Sequence, residues 1–475
     1  MNTASVLSFF KEITQIPRES GHEEPMTAYL QQFAAGRGLE CRTDKIGNVV
    51  IVKPASPGKE NVPTLVLQAH QDMVCEKHAD FDFDFHTQAI PYEIEDGWMV
   101  SKHTTLGADD GIGVAACLAL LDGDVPMGKL ECLFTISEET GMDGAFALES
   151  GFFDGKTLIN LDSEDEGQLF VGCAGGIDTT ASFEFKREPL RKGYKVLKIK
   201  VGGAQGGHSG DDINKERANA LKQLLRFLYT ELQYDYQLIS IEGGNKPNAI
   251  CREAEALIAV PADEVNEMAE DTKAFDDILK AEFVASDPGV NISCTPATTA
   301  LKPIEEGDAA DIIMTLLAVP HGVEKMSVDI PGLVETSTNL AAVHTEEAVV
   351  KVVTSQRSSV VSELHAMAEK VEAALFLGSF DVEHHGEYPG WKPNLQSHIL
   401  LHCVASYRKL FGHDPEVKAI HAGLECGLFL EKFPDLDMIS FGPTLRGVHA
   451  PGEKLELASL DKFVAHLNDV VTTFA

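Results

Sequence analysis

The stretch Leu65-Val66-Leu67-Gln68-Ala69-His70-Gln71-Asp72-Met73-Val74 decides how the rest of the chain is read. Its apolar run has the length and composition of a buried strand. The run stops at a histidine, and a carboxylate follows two residues later. In an open α/β sheet, ligands gather just beyond the carboxyl ends of strands. His70 therefore stands where a metal ligand would stand, and Asp72 can reach back to its ring as a supporting carboxylate. His-x-Asp is a short pattern that also fits an ordinary polar loop, so its meaning depends on what other strand ends carry.

Other apolar runs end the same way. The run from Leu130 leads into Ser137-Glu138-Glu139, and Thr157-Leu158-Ile159-Asn160-Leu161 leads into Asp162. Gly107-Ala108-Asp109-Asp110-Gly111-Ile112-Gly113 opens an apolar helix, where acidic residues also serve capping and the helix dipole. Near the end, the strand from Leu436 to Gly442 precedes Arg446-Gly447-Val448-His449. Strand ends converge at one sheet edge, so His70, Asp109, Glu138, Glu139, Asp162 and His449 together point to one site. Two histidines with several carboxylates and no thiolate suit a pair of divalent ions, zinc first, with manganese or cobalt as substitutes. Two such ions held ~3.5–4 Å apart need a carboxylate between them.

The totals narrow the partners. The chain has 475 residues, more than one ordinary core holds, and is 44% hydrophobic. With 39 Lys and Arg against 74 Asp and Glu, the net charge is −35. A surface of that sign repels phosphate backbones, which argues against nucleic acid. Nine cysteines, an odd number without a CxxC pair, suit a reducing compartment, and a cytoplasmic protein is expected. The start at Met1 lacks a basic stretch followed by a long apolar core, and no run approaches the ~20 apolar residues of a membrane span.

Along the chain, helices are expected at 5–16 and 22–37, a strand at 49–52, and an irregular region rich in Asp, Phe and His at 79–105. From 186 to 389 the pattern changes to strand, helix, two strands, helix, and then repeats weakly. This predicts a doubled βαββα region inserted into a first domain. The expected division is 1–185 and 390–475 for that first domain and 186–389 for the insert.

The motifs Leu67–Val74, Thr105–Gly113, Ser137–Gly141, Asn160–Glu164, Gly206–Gly210 and Arg446–Glu453 together resemble the metallopeptidase M20 family of co-catalytic zinc peptidases. Within it, the resemblance is to the aminoacyl-histidine dipeptidase group, over the full length. It implies an α/β catalytic domain, with a mixed central sheet flanked by helices, and an inserted α+β lid. It also implies that His70 and Asp162 ligate one ion, that Glu139 and His449 ligate the other, and that Asp109 bridges them. Glu138 would be the general base, and Asp72 the carboxylate orienting His70, counted with Glu138 as catalytic. A cis peptide between Asp109 and Asp110 is implied as well. In the lid, His208 would donate to the oxyanion, Asn248 would contact the substrate amide, Arg357 would clamp the C-terminal carboxylate, and Gly423 would offer backbone to the substrate. Guanidinium suits that carboxylate role because it binds bidentately.

The implied reaction is hydrolysis of a short peptide with a free C-terminus, preferentially Xaa-His such as β-alanyl-histidine. Alternatives on the same site are a broader dipeptidase or tripeptidase, or an N-acyl amino-acid hydrolase. A non-enzymatic metal or peptide binder is disfavoured by Glu138, since binding alone needs no base. Smaller members have one βαββα lid and dimerise through it, so a homodimer is implied, or a monomer if a doubled lid supplies the contact internally.

Overall fold

Leu65–His70 is a strand whose six residues are all buried. In the computed structural model, which describes residues 1–232 and 235–475, it lies inside an eight-stranded sheet. The order is Glu40–Thr43, Val49–Lys53, Leu130–Thr135, Leu65–His70, Thr157–Asn160, Asp437–Ser440, Gln168–Cys173 and Glu416–Ile420. Leu130–Thr135, Leu65–His70, Thr157–Asn160 and Asp437–Ser440 run parallel, and antiparallel pairings flank them. Covered parallel strands are buried on both faces, which explains their near-continuous apolar runs. Their carboxyl ends open on one edge, so the residues following Thr135, His70, Asn160 and Ser440 meet there.

Two helices show how the sequence supports this sheet. Thr3–Ile13 starts from an Asn2 and Ser5 capping box and buries Val6, Phe9, Phe10 and Ile13, one side of the helix. Ala108–Asp122 is apolar all round after its first turn, and every residue from Ala108 to Leu121 is buried. The Asp109–Asp110 peptide is cis. At Gly113 a Cβ would collide with the Asp110 side chain, so this turn requires glycine.

The chain forms two units: Met1–Gly172 with Trp391–Ala419 and Leu424–Ala475, and Cys173–Gly390 with Ile420–Gly423. The sequence puts the first boundary at 185/186. In the structure it falls at 172/173, because Gly175–Glu184 pairs with Val349–Ser358 along its whole length. The short stretch Ile420–Gly423, expected in the first domain, belongs with the second unit, where His421 Nε2 lies 2.7 Å from Ser337 Oγ.

The second unit is a wholly antiparallel sheet in the order Asn291–Pro296, Tyr194–Gly202, Ala254–Pro261, Gln237–Gly243, Val334–Thr345, Val349–Ser358, Gly175–Glu184 and Asp381–Tyr388. Gly322–Met326 joins on Val334–Thr345. Helices Ala220–Glu231, Val265–Glu282, Glu306–Ala318 and Val361–Leu377 contribute Leu224, Leu279, Ile312 and Leu375 to one core with this sheet.

The doubled βαββα order is present, but its pairing is not repeated. Tyr194–Gly202 lies beside Ala254–Pro261. The corresponding place beside Val349–Ser358 is filled by Gly175–Glu184, and Asn291–Pro296 pairs instead with Tyr194–Gly202. No helix among the described residues is long and apolar enough to cross a membrane.

Candidate metal centre

Each expected ligand of the first unit arrives from a different element. His70 is the last residue of its strand, and Asp162 follows Thr157–Asn160 by two residues. Asp109 opens the buried helix, and His449 sits on a loop with φ of 61°. Glu138 and Glu139 follow Leu130–Thr135. On an extended strand, adjacent side chains would face opposite ways. Ser137 takes a left-handed conformation (φ 50°), and Glu138–Gly141 winds one helical turn, so the strand direction is abandoned before the pair. Ser137 is held there by Glu23 Oε1, which accepts from its amide at 2.9 Å and its hydroxyl at 3.0 Å.

Asp109 lies at the centre. Its Oδ1 is 3.1 Å from His70 Nε2 and its Oδ2 is 3.0 Å from His449 Nε2. His70 Nε2 is also 3.5 Å from Asp162 Oδ1, and His449 Nε2 is 2.9 Å from Glu139 Oε2. Asp72 backs the group. Its oxygens lie 3.3 Å from His70 Nδ1 and accept from Ser20 Oγ at 2.7 Å and from the amides of Glu138 and Glu139 at 3.1 and 3.2 Å. Asp110 comes equally near the ligands, but both its oxygens accept main-chain amides, from His70 and Gly113. It therefore supports the site from behind.

The electrostatics are those of a crowded anionic cluster. Burial, with Asp109 alongside, pushes the Asp110 and Asp162 carboxyls well above the usual range. Burial also raises Glu138, with Glu425, Glu139 and Asp109 adding to it. Asp109 goes the other way: burial opposes its charge, but hydrogen bonds with His449 and His70 outweigh that and hold it low. Burial likewise opposes charge on Asp72, and its bonds with His70, Ser20 and the Glu138 amide bring it down to about 2. His449, between Asp109 and Glu139, is raised to about 11.

A buried set of carboxylates that repel one another, with imidazoles between them and with Glu139 Oε1 buried and unpartnered among the described residues, has the donor chemistry that divalent cations satisfy. Two overlapping groups lie close enough to hold one: His70 with Asp110 and Asp162, and His70 with Asp109 and Glu139.

The remaining expected residues, His208, Asn248, Arg357 and Gly423, all lie in the second unit. Arg357 is buried and donates from Nη1 to the Tyr388 hydroxyl at 3.1 Å, while its Nε has no partner among the described residues. A Cβ on Gly423 would lie 3.0 Å from the Tyr388 ring, so this glycine permits a close approach. His208 Nδ1 accepts from the amides of Gly210 and Asp211 at 3.2 and 3.3 Å, which assigns the ring proton to Nε2. Burial and then Arg357 lower its pKa, which favours the neutral donor. Asn248 is exposed on a loop pinned by Asn339, whose Nδ2 donates to the carbonyls of Pro247 and Ala249.

Sequence reasoning missed Tyr388, Ser337 and His421, which carry no local pattern. It also missed a buried polar chain beneath the ligands. Glu425 Oε2 accepts from Gln68 Nε2 at 2.7 Å and Thr135 Oγ1 at 3.0 Å, and Gln68 Oε1 accepts from Asn160 Nδ2 at 2.6 Å. Glu425 is raised to about 7 by burial, with Asp72 adding to it.

Residues 66–473 match the sequence profile of peptidase family M20/M25/M40. The chain belongs to that family. M20 peptidases of this kind are metal-dependent, in keeping with the cluster just described. The chain is 38% identical over 464 residues to the cytosol non-specific dipeptidase of Escherichia coli (strain K12), covering 97% of this chain and 96% of that protein. The crystal structure of aminoacylhistidine dipeptidase from Vibrio alginolyticus superposes with a TM-score of 0.94 at 39% identity, over 99% of this chain and 97% of that one. Aminopeptidase PepT from Bacillus cereus shares the fold alone, at a TM-score of 0.58 and 17% identity over 99% of this chain and 98% of that one. The M20 resemblance read in the motifs therefore extends over nearly the whole chain.

Proposed function

We propose that this protein is a cytosolic dipeptidase that hydrolyses Xaa-His dipeptides such as β-alanyl-histidine, using two divalent ions, zinc by preference. The observation that carries the reading is Asp109, whose two oxygens face His70 and His449 at 3.1 and 3.0 Å. A carboxylate so placed suits the bridge of a paired-ion site, with Asp162 beside His70 and Glu139 beside His449. When bound, such a pair polarises the scissile carbonyl and eases deprotonation of the attacking water.

The chain's own groups do the rest. Glu138, basic because it is buried among other carboxylates, takes the water's proton and returns it to the departing amine. Asp72 holds His70 and the Glu138 and Glu139 amides in place. In the second unit, Arg357 receives the substrate's C-terminal carboxylate, with its unpartnered Nε available for a second bond. His208 donates from Nε2 to the developing oxyanion. Asn248 binds the substrate amide and Gly423 lies against the substrate.

A broader dipeptidase is the second reading, supported by the name of the Escherichia coli relative. Turnover of β-alanyl-histidine against a dipeptide panel, with and without chelator, tests both. Hydrolysis confined to C-terminal histidine favours the first reading, and even rates across the panel favour the second. Elemental analysis should give two divalent ions per chain. A single tightly held ion with full activity would overturn the bridged site. A homodimer is proposed for the assembly, supported by the exposed apolar pair Phe376 and Leu377 (74% and 88%), and sedimentation equilibrium separates it from a monomer.

A further inference from the structure

The loop that carries Asp109 is held by a residue given no role above. Glu453 follows His449 by four positions and is 2% exposed. Its Oε2 accepts from the amides of Leu106 at 2.7 Å and Gly107 at 3.0 Å. Its Oε1 accepts from Ala108 at 2.8 Å and Asp109 at 3.4 Å. One carboxylate thus serves four consecutive backbone donors, the full acceptor capacity of an ionised carboxyl group. Such a run of converging amides is a concavity for an anion, and here the chain fills it with its own side chain.

The segment between His449 and Glu453 is also fixed. The Glu453 amide donates to the Ala450 carbonyl at 3.2 Å, and the Gly452 amide donates to the Ser101 carbonyl at 2.9 Å. The same five residues therefore grip Asp109 twice: the His449 ring meets its side chain, and Glu453 meets its amide. From the other side, buried Arg18 donates to the carbonyls of Gly107, Gln71 and Asp72, which ties the loop to the end of the His70 strand.

We propose that Glu453 is a positioning residue of the metal centre, fixing the Asp109 carboxylate between His70 and His449 through the backbone of residues 106–109. This rests on the metal-centre reading above. Only a residue with two acceptor oxygens and glutamate's length serves all four amides. Glutamine offers one oxygen and turns an NH2 group toward the other two donors. Aspartate keeps the charge but is one methylene too short.

The test is titration of metal-stripped full-length protein with Zn²⁺ and with Co²⁺, comparing wild type, Glu453→Gln and Glu453→Asp below the melting point of each apoprotein. The ion dissociation constant should rise roughly 10- to 100-fold in Glu453→Gln, as happens when a group behind metal ligands is lost. It should rise less in Glu453→Asp, and the visible Co²⁺ spectrum should change in both. A merely structural role would lower the apoprotein's melting temperature and leave affinity and spectrum as they were, and that result overturns the proposal. If Glu453→Gln does not fold, the aspartate variant decides by the same two readouts. If wild type binds no divalent ion, the metal-centre reading falls and this inference falls with it. If wild type binds two and both variants bind as tightly, only the role of Glu453 falls.

Discussion

Replacing Glu138 with glutamine separates proton transfer from metal binding. The substitution keeps side-chain volume and hydrogen-bonding capacity and removes basicity. The loop should hold, because what fixes it is main chain: the amides of Glu138 and Glu139 donate to Asp72 at 3.1 and 3.2 Å, and neither bond involves the Glu138 side chain. The contact between Glu139 and His449 at 2.9 Å is likewise untouched. Metal content should therefore equal wild type. The rate should not. Burial, reinforced by Glu425, Glu139 and Asp109, makes Glu138 a stronger base than an ordinary carboxylate, and glutamine supplies none of that. General acid–base catalysis contributes about 10²–10⁴-fold, or roughly 3–5 kcal/mol of barrier. The expected loss in kcat is at least that large. Glu139→Gln should act differently and release metal, since Glu139 Oε1 is buried without a partner among the described residues. The assay pairs turnover of β-alanyl-histidine with elemental analysis for both variants. If Glu138→Gln lost its metal while Glu139→Gln kept both ions and lost only rate, the two assignments would be reversed.

Asp72→Asn turns an NH2 group toward two of the four donors now served by the carboxylate, and should weaken metal affinity about 10- to 100-fold, measured by chelator competition. Arg357→Lys keeps the charge but loses the fork. It should raise KM for dipeptides roughly 10- to 100-fold with kcat little changed, and the gap from wild type should vanish for a C-terminally amidated dipeptide. Acid should loosen the first unit through His466, which burial lowers from 6.5 to about 4 despite its bond to the Cys403 carbonyl at 3.0 Å. Its depressed pKa means that the unfolded chain takes the proton first. Stability from this group is complete above pH 6.5 and is lost as pH falls toward about 4, by at most roughly 3 kcal/mol. Trp98 and Trp391 both lie in the first unit, so denaturation followed by tryptophan fluorescence reads this directly, and His466→Gln should flatten the dependence.

The parallel strands were legible because covered parallel strands are written as near-continuous apolar runs, and the candidate ligands stand at their ends. His70, Glu138, Glu139 and Asp162 could be read off three short stretches for that reason. The second unit resisted reading where pairing partners are chosen in three dimensions. Nothing local in Gly175–Glu184 says that it, and not Asn291–Pro296, will lie beside Val349–Ser358. Polar contacts across long separations were equally hidden. Gln68 and Glu425 are 357 positions apart, and nothing local in the sequence pairs them. Glu453 was visible within the Arg446–Glu453 motif, but its grip on four amides depends on the conformation of a loop 346 residues away.

The short return of Ile420–Gly423 to the second unit changes how these proteins can be recombined. The chain crosses between units at 172/173, 390/391, 419/420 and 423/424, four times where a simple insertion would cross twice. The second unit is therefore not a single cassette. Excising 173–390 would strand His421 without Ser337 and leave Gly423 without the Tyr388 ring it packs on. A chimaera that swaps 173–390 between relatives should keep its second unit intact only when residues 420–423 come from the same parent.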